Sequence, residues 1–132
     1  MAHRLAVVLA SVVALLLAPV EVRADEGPDH EARVAGRCSG GGAAELRVRA
    51  GDDGELRIDL ALRSRLPAQR WLVVVVHERR LAYRGVVRAG RSSHRTALRR
   101  TVANLFGPDT VRVRASGRPG ETCRATAMVG DE

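Results

Sequence analysis

The chain has 132 residues, enough for one small domain, and all 22 of its basic residues are arginine. With 15 acidic residues its net charge is +7, and its abundant alanine, glycine and valine indicate a very GC-rich coding sequence, so codon bias explains part of the arginine excess. Trp71, Tyr83 and Phe106 are the only aromatic residues, too few for a surface on which nucleic-acid bases stack. We therefore expect no nucleic-acid partner.

The N-terminus has the features of an export signal. A short positive lead precedes an apolar run at residues 5–18, and that run is shorter than the roughly 18 residues of a membrane span. Small residues before position 25 suit signal peptidase, so the sequence predicts a signal peptide at residues 1–24 with cleavage after Ala24. An uncleaved membrane anchor is the alternative. After cleavage no stable membrane span is expected, which indicates a secreted or cell-envelope protein.

Residues 25–37 are acidic and polar and have no apolar period, which predicts a disordered tail. Its adjacent Asp29, His30 and Glu31 are metal-ligating residue types, but a flexible segment gives them no fixed geometry. Asp52 and Asp53 lack the spaced oxygen ligands of a calcium loop. We expect neither a metal nor a cofactor.

Two cysteines, Cys38 and Cys123, follow the predicted signal. Oxidising conditions outside the cell favour their pairing. A bridge between them would close a loop from residue 38 to residue 123. In the chain-entropy model a loop of this length corresponds to a stabilisation of roughly 4–5 kcal/mol. A domain this small has a marginal core, so the disulfide is expected to matter for its stability.

Apolar residues alternate with arginine through most of the remaining chain, the period of strands with one buried face. The segment from Ser92 to Asn104 also fits a helix with Leu98, Val102, Leu105 and Phe106 on one side, but the all-β context favours a strand at about 95–102. Seven short antiparallel strands separated by turn signals predict an all-β sandwich or barrel in one domain at residues 38–130. The predicted strands span residues 45–50, 55–63, 70–77, 81–88, 95–102, 110–115 and 122–129.

The run at residues 70–77 is apolar from Trp71 to Val76, which predicts a central strand covered on both faces. Trp71, Val73 and Val75 share one face and are the expected structural core. The opposite face needs cover from the other sheet, the tail or a second molecule. If exposed, it would mark an interface, such as that of a homodimer. That opposite face carries Leu72, Val74 and Val76.

Three short motifs carry a family resemblance: Cys-Ser-Gly at 38–40, Arg70-Trp71, and Gly-Glu-Thr-Cys-Arg-Ala at 120–125. With these the chain resembles small exported actinobacterial proteins with an immunoglobulin-like β-sandwich. The resemblance implies that fold, with one cysteine before the first strand and one near the last, and it implies no activity. Because Cys38 precedes Trp71 by so many residues, the bridge is expected to tie the two chain ends rather than cross the sandwich.

Catalytic candidates are limited to His77 and His94. Glu78 follows His77, but neighbours on a strand point to opposite faces, so we expect His77 to be lodged at the strand end. The sequence contains no nucleophile motif, zinc-ligand spacing or phosphate-binding glycine loop. We therefore expect no enzyme. The alternative is a small secreted hydrolase that uses His77 or His94.

Arginines are dense between residues 79 and 100. Arg84 and Arg88 on one strand, and Arg95 and Arg99 on the next, are predicted to point outward and form one positive sheet face. A solvated, codon-biased surface is the favoured interpretation of these arginines. The alternative is an anion-binding patch: because arginine forks suit phosphate and carboxylate oxygens, its natural ligand would be an anionic cell-envelope polymer, with another protein as the other class of partner. The expected function is an exported, non-enzymatic binding or structural module.

Overall fold

The structure, a computed structural model, describes residues 30–105 and 107–130. Within these two ranges the chain forms nine β-strands and no helix, as its alternation of apolar and polar residues indicates. No described helix is therefore long and apolar enough to cross a membrane. The strands are β1 (Glu31–Ala35), β2 (Arg37–Ser39), β3 (Ala43–Ala50), β4 (Glu55–Arg63), β5 (Arg70–His77), β6 (Arg80–Arg88), β7 (Arg95–Ala103), β8 (Asp109–Gly117) and β9 (Glu121–Val129).

The strands form two antiparallel sheets that pack face to face. The four-stranded sheet has the order β1-β3-β4-β7, and the five-stranded sheet has the order β2-β9-β8-β5-β6. Side chains alternate between the core and the outer surface along the strands, and the inner faces of both sheets contribute to one hydrophobic core. The largest fully buried apolar side chains are those of Trp71, Leu46, Leu56, Ile58, Leu60, Val48, Val73, Val75 and Val111.

All seven strands predicted from the sequence are present. The ambiguous segment is β7, a strand that pairs with β4 over its whole length, so the helical alternative is wrong. Leu98 lies opposite Leu60, and Val102 lies opposite Leu56. The segment therefore has the two-residue period of a strand, which places both Leu98 and Val102 on the core face.

The predicted disordered tail is wrong for residues 31–37. Glu31–Ala35 pairs with β3 at the edge of the four-stranded sheet, and its Ala32 and Val34 pack against the core. At Gly36 the chain crosses to the other sheet, where Arg37–Ser39 pairs with β9. Two small apolar residues between charged ones were too weak a pattern to indicate a strand. The predicted signal peptide and residues 25–29 lie outside the described residues.

The described residues cover the central run fully on one face only, whereas the sequence predicted two covered faces. Trp71, Val73 and Val75 are fully buried, as predicted, whereas Leu72 on the opposite face is 40% exposed. β5 lies between β8 and β6, one strand from the sheet edge. Valine is favoured in strands whether or not both faces are covered, so the run alone could not distinguish the two cases.

The two cysteines form a disulfide, as predicted. Cys38 on β2 and Cys123 on β9 are direct cross-strand partners, with their Cα atoms 4.1 Å apart. The bridge therefore joins neighbouring strands within the five-stranded sheet and does not cross the sandwich. Cys38 does not precede the first strand, however, because β1 comes before it.

Candidate functional site

The outer surface of the five-stranded sheet is rich in arginine. On each of its strands the residues that alternate with the core positions point away from the core. We call this outward surface the arginine face. It carries seven arginines: Arg37, Arg70, Arg84, Arg88, Arg112, Arg114 and Arg124.

The arginine face has no acidic residue at any outward strand position. The acids of these five strands, Asp109 and Glu121, both point inward and are buried. Glu78 lies in the turn at one end of the sheet, where its carboxylate accepts a hydrogen bond from the backbone N–H of Thr110. No outward side chain of the five described strands therefore neutralises the positive charge of the arginine face.

The outer surface of the four-stranded sheet differs in this respect. It also carries seven arginines, but four acids lie among them: Glu31, Glu45, Glu55 and Asp59. The arginine–carboxylate ion pairs between described residues all lie on this surface: Arg33–Glu45 at 3.4 Å, Arg47–Glu31 at 2.5 Å and Arg99–Asp59 at 3.2 Å.

The two outer surfaces thus have equal numbers of arginines and unequal numbers of acids. Codon bias accounts for arginine spread evenly over both sheets, but it gives no reason for the acids to be confined to one of them. The segregation of the acids is consequently the feature of the surface that indicates a binding site.

Strand register aligns several of these arginines in one row. Arg37 on β2 is opposite Arg124 on β9, and Arg124 is opposite Arg114 on β8. The row continues through Val74 on β5 to Arg84 on β6. Neighbouring strands are about 4.8 Å apart, so the row spans roughly 19 Å across the whole sheet.

One end of this row is a hollow of about 440 Å³. Arg37, Arg114 and Arg124 supply its cationic groups, and the residues Ser39 and Thr122 contribute hydroxyl side chains. Guanidinium and hydroxyl groups donate hydrogen bonds, and the guanidinium groups cannot accept any. The hollow therefore has the chemistry of an oxyanion site.

The four arginines predicted to share one sheet face are divided between the two sheets. All four are exposed, but Arg84 and Arg88 lie on the arginine face, whereas Arg95 and Arg99 lie on β7 in the four-stranded sheet. Arg99 is also paired with Asp59. The prediction that they form one face is wrong because the connection between β6 and β7 crosses from one sheet to the other.

Sequence reasoning missed the arginines of β2, β8 and β9. A usable signal was present, because Arg37-Cys38-Ser39 and Thr122-Cys123-Arg124 flank the two cysteines that were expected to pair. If two bridged cysteines are antiparallel cross-strand partners, their neighbours pair on the opposite face of the sheet. That rule brings Arg37 to Arg124, and Ser39 to Thr122.

The apolar stripe of Leu72, Val74 and Val76 lies within the arginine face. Val74 has Arg84 on one side and Arg114 on the other. In a two-fold dimer the same patch meets itself, so joining two copies through this stripe would bring unneutralised arginines together. The charge disfavours the predicted homodimer. The buried Trp71 and the inward-pointing Tyr83 offer no stacking ring on this face.

His77 is lodged at the end of β5, as expected, but it meets an acid there. Its Nε2 lies 2.6 Å from Oδ1 of Asp109, and both residues are buried. Glu78 does not point away as the strand rule predicts, because it has left the strand and has a positive φ of 49°. One ligand atom from each of His77, Glu78 and Asp109 lies within 4.8 Å of the others.

Among the described residues these three form the one group whose ligand atoms lie close enough together to hold a metal ion, and one polar atom of each already has a partner. Asp109 is bonded to His77, and Glu78 accepts from Thr110. The adjacent hollow is lined by Val76, Glu78, Arg79, Thr110 and Arg112, and neither His77 nor Asp109 reaches it. His94, the other catalytic candidate, is exposed, and its Nδ1 lies 3.2 Å from the carbonyl oxygen of Ser64.

Glu121 anchors the opposite end of the five-stranded sheet. Its buried carboxylate accepts hydrogen bonds from the Ser64 hydroxyl at 2.5 Å, the Arg65 backbone N–H at 3.0 Å and the Gln69 amide at 2.7 Å. Burial by itself raises the pKa of this carboxyl, but the hydrogen bonds and the charge of Arg65 outweigh it, so that the pKa lies below its ordinary value. The network holds the loop between β4 and β5 against β9.

Comparisons with protein-family models, with curated proteins and with solved structures found no match to this chain.

Proposed function

We propose that this protein is an exported, non-enzymatic binding module, at or outside the cell surface, that holds a linear polyanion along its arginine face. The observation that carries the proposal is the absence of acids from the outward positions of the described strands in a sheet with seven arginines there, while the other sheet pairs three of its seven outward arginines with acids. An acid-free surface of this kind keeps its attraction for anions. An anionic cell-envelope polymer is the proposed ligand.

The row from Arg37 to Arg84 suits a polymer better than a single small anion. The row crosses all five strands and has cationic groups on four of them, so a chain with repeated anionic groups meets several of them at once. The exposed Leu72 and Val86 beside the row offer apolar contacts to the parts of the polymer between charges.

We propose an immunoglobulin-like sandwich as the fold class of this module. Beyond β1 and β2, three strands form one sheet and four form the other, and the chain crosses between sheets after β4, β6 and β7. Such crossings are typical of Greek-key sandwiches, to which immunoglobulin-like domains belong. Likeness to exported actinobacterial proteins remains part of this proposal.

Export is supported by two features. The N-terminal 24 residues have the pattern of a cleaved signal, and a disulfide such as Cys38–Cys123 persists in oxidising compartments. Expression in a secreting host tests this part. The expected result is an extracellular protein that begins at Asp25, as read by N-terminal sequencing, and a protein retained in the cell with Met1 intact would contradict it.

The hydrolase alternative has one supporting observation, the bond between His77 and Asp109. Histidine–carboxylate pairs do orient catalytic bases. Here, however, the pair is buried and does not line the neighbouring hollow, so a substrate in that hollow would not reach the imidazole. Anion binding is therefore the better-supported function.

The test is binding of the purified protein to poly-L-glutamate and to poly(glycerol phosphate), followed by titration calorimetry between about 50 and 200 mM salt. Because each neutralised anion releases counterions, the affinity should fall on the order of tenfold or more over this range. A neutral dextran should not bind. Affinity that does not change with salt would contradict the proposal.

Two matched variants locate the binding. The first replaces one arginine with glutamine on each of three strands of the arginine face, at Arg84, Arg114 and Arg124. We expect it to lose most of the affinity for both polymers.

The second variant also removes three positive charges, but from the four-stranded sheet, at arginines that form no ion pair with a described residue. Its three substitutions, again to glutamine, are at the exposed Arg57, Arg63 and Arg95. This variant should keep nearly the affinity of the parent protein. Equal losses in the two variants would show that net charge alone attracts the polymers, and would overturn the proposed site.

A further inference from the structure

The hollow at the β2 end of the arginine face differs from the rest of the row. Three arginines are in register there with no other residue between them, whereas Val74 separates Arg114 from Arg84. The hollow also has two hydroxyl side chains, those of Ser39 and Thr122, which face each other across β2 and β9. Three guanidinium groups and two hydroxyl groups, all hydrogen-bond donors, therefore line the same hollow at this end.

The disulfide fixes these donors in place. Cys38 and Cys123 point inward, and the residues on either side of each cysteine point outward into the hollow. β2 has only three residues, paired with β9 at three positions, so hydrogen bonds alone hold it weakly. A covalent bond directly behind the hollow keeps Arg37 and Ser39 opposite Arg124 and Thr122.

Like charges that face each other across strands destabilise a sheet. The hollow nevertheless places Arg37 opposite Arg124 and Arg124 opposite Arg114, and no carboxylate of the described strands lies between them. An anion bound among the three guanidinium groups would remove this repulsion.

The donor set indicates which anion fits. A carboxylate has one negative charge and two oxygens in a plane. A phosphate monoester has close to two negative charges at neutral pH and three acceptor oxygens in a tetrahedral arrangement. Three guanidinium groups carry more positive charge than either anion has negative charge, so they favour the doubly charged monoester. With the two hydroxyl groups they offer donors to all three of its oxygens.

We infer that the hollow lined by Arg37, Arg114, Arg124, Ser39 and Thr122 is a subsite for a phosphate monoester group. This inference rests on the proposed polyanion-binding function and assigns this end of the arginine face to a terminal or pendant phosphate of the polymer, because phosphates within a backbone such as that of poly(glycerol phosphate) are diesters. The Cys38–Cys123 bridge behind the hollow acts as a positioning element for the subsite. The rest of the row, beyond Val74, holds further anionic groups without this selectivity.

The experiment uses small probes, so that it does not depend on polymer binding. Glycerol 1-phosphate is titrated into the isotopically labelled protein at pH 8, and the backbone amide shifts are followed by NMR. Dimethyl phosphate, a diester with one charge, and acetate are titrated in parallel. We expect the monoester to bind at least about tenfold more tightly than either of these, with the largest shifts at Ser39, Thr122 and their neighbours.

A second titration repeats the monoester at pH 5, where the ester has lost its second charge because that ionisation has a pKa of about 6. Affinity should fall severalfold at the lower pH. If diester, acetate and monoester bind equally well, or if the monoester affinity does not change with pH, the subsite is not a monoester site.

Variants complete the test. Arg124→Gln, which removes the central arginine of the hollow, should weaken monoester binding about tenfold. Arg88→Gln, on the same face but outside the hollow, should leave it within about twofold of the parent value. Equal effects of the two substitutions would overturn the inference.

The outcomes separate this inference from the proposed function. If both polymers bind to the arginine face but glycerol 1-phosphate does not bind at the hollow, the monoester subsite is wrong and the polyanion module stands. If neither polymer binds to the arginine face, the proposed function is wrong, and any monoester binding would then describe an isolated anion site.

Discussion

Arg37 and Arg124 face each other on the outer side of β2 and β9, and the cysteines next to them in sequence are bonded to each other on the inner side. The disulfide thus keeps two positive side chains side by side despite their mutual repulsion. They are 87 positions apart in the sequence. Like charges opposite each other are expected to destabilise the sheet, and an anion bound between Arg37 and Arg124, as we propose, would offset that cost.

This repulsion can be measured. Arg124→Thr removes the arginine that faces both Arg37 and Arg114, so at low salt and without anions it should stabilise the protein by about 0.5 kcal/mol. Arg112→Thr is the matched control, because Arg112 lies on the same face opposite Thr126 and Val76. Urea denaturation in about 10 mM salt compares the two variants. A loss of stability in Arg124→Thr would contradict the account of the row.

The buried carboxylate of Glu121 gives the second prediction. Glu121→Gln loses charge-assisted hydrogen bonds and should destabilise the fold by about 1–3 kcal/mol at pH 7. Because the folded-state pKa is lowered, this carboxyl contributes its full stabilisation above its unfolded-state pKa, and the contribution is lost as pH falls through the folded value.

The difference in unfolding free energy between the parent protein and Glu121→Gln should therefore shrink as the pH is lowered from 7 to about 3. Urea denaturation at several pH values measures it. A difference that stays constant over this range would show that the Glu121 charge does not stabilise the fold.

Gly85 is the subject of the third prediction. A β-carbon at this position would lie 2.8 Å from Cζ of Tyr83, and the Tyr83 ring is itself held by Arg100, whose Cζ lies 4.3 Å from the ring centroid. Gly85→Ala should accordingly cost about 1–3 kcal/mol, as overpacking does. In a Tyr83→Ala background the same substitution should cost much less, because the ring is gone. Equal costs in both backgrounds would contradict the proposed clash.

The strand sequences predicted most of the fold because one face of each strand points toward the core. A strand of this kind alternates apolar and polar residues, and that alternation is visible in the sequence. The irregularity of β6 had no signal in this alternation: the register shifts opposite Val75 and Val76, where Ala82 is the extra residue. β1 was missed because its inward residues are only Ala32 and Val34, which leave little hydrophobic signal between charged neighbours.

The site was less predictable than the fold. Alternation shows that an arginine points outward, but it does not show which sheet carries the strand, and so Arg95 was grouped with Arg84. Lateral neighbours such as Arg114 and Arg124 depend on register, which is set by long-range pairing. The absence of acids from one surface became apparent only when every strand had been assigned to a sheet.

The fourth prediction concerns the His77–Asp109 pair. Asp109→Asn weakens a buried hydrogen bond that is 2.6 Å long and should lower stability by about 1–3 kcal/mol. It should leave polymer affinity unchanged, because neither residue lies on the arginine face. Thermal denaturation and calorimetry measure the two effects separately. A large loss of affinity in a folded Asp109→Asn protein would place the binding site at this end of the sandwich instead.

The central claim is that polyanions bind the outer surface of the five-stranded sheet, and NMR mapping of poly(glycerol phosphate) binding tests it most directly. We expect amide shifts concentrated on β8, β9 and β2, around Arg114, Arg124 and Ser39, with little change around Arg57 and Arg63 on the four-stranded sheet. Shifts spread equally over both sheets, or concentrated on the four-stranded sheet, would contradict the claim.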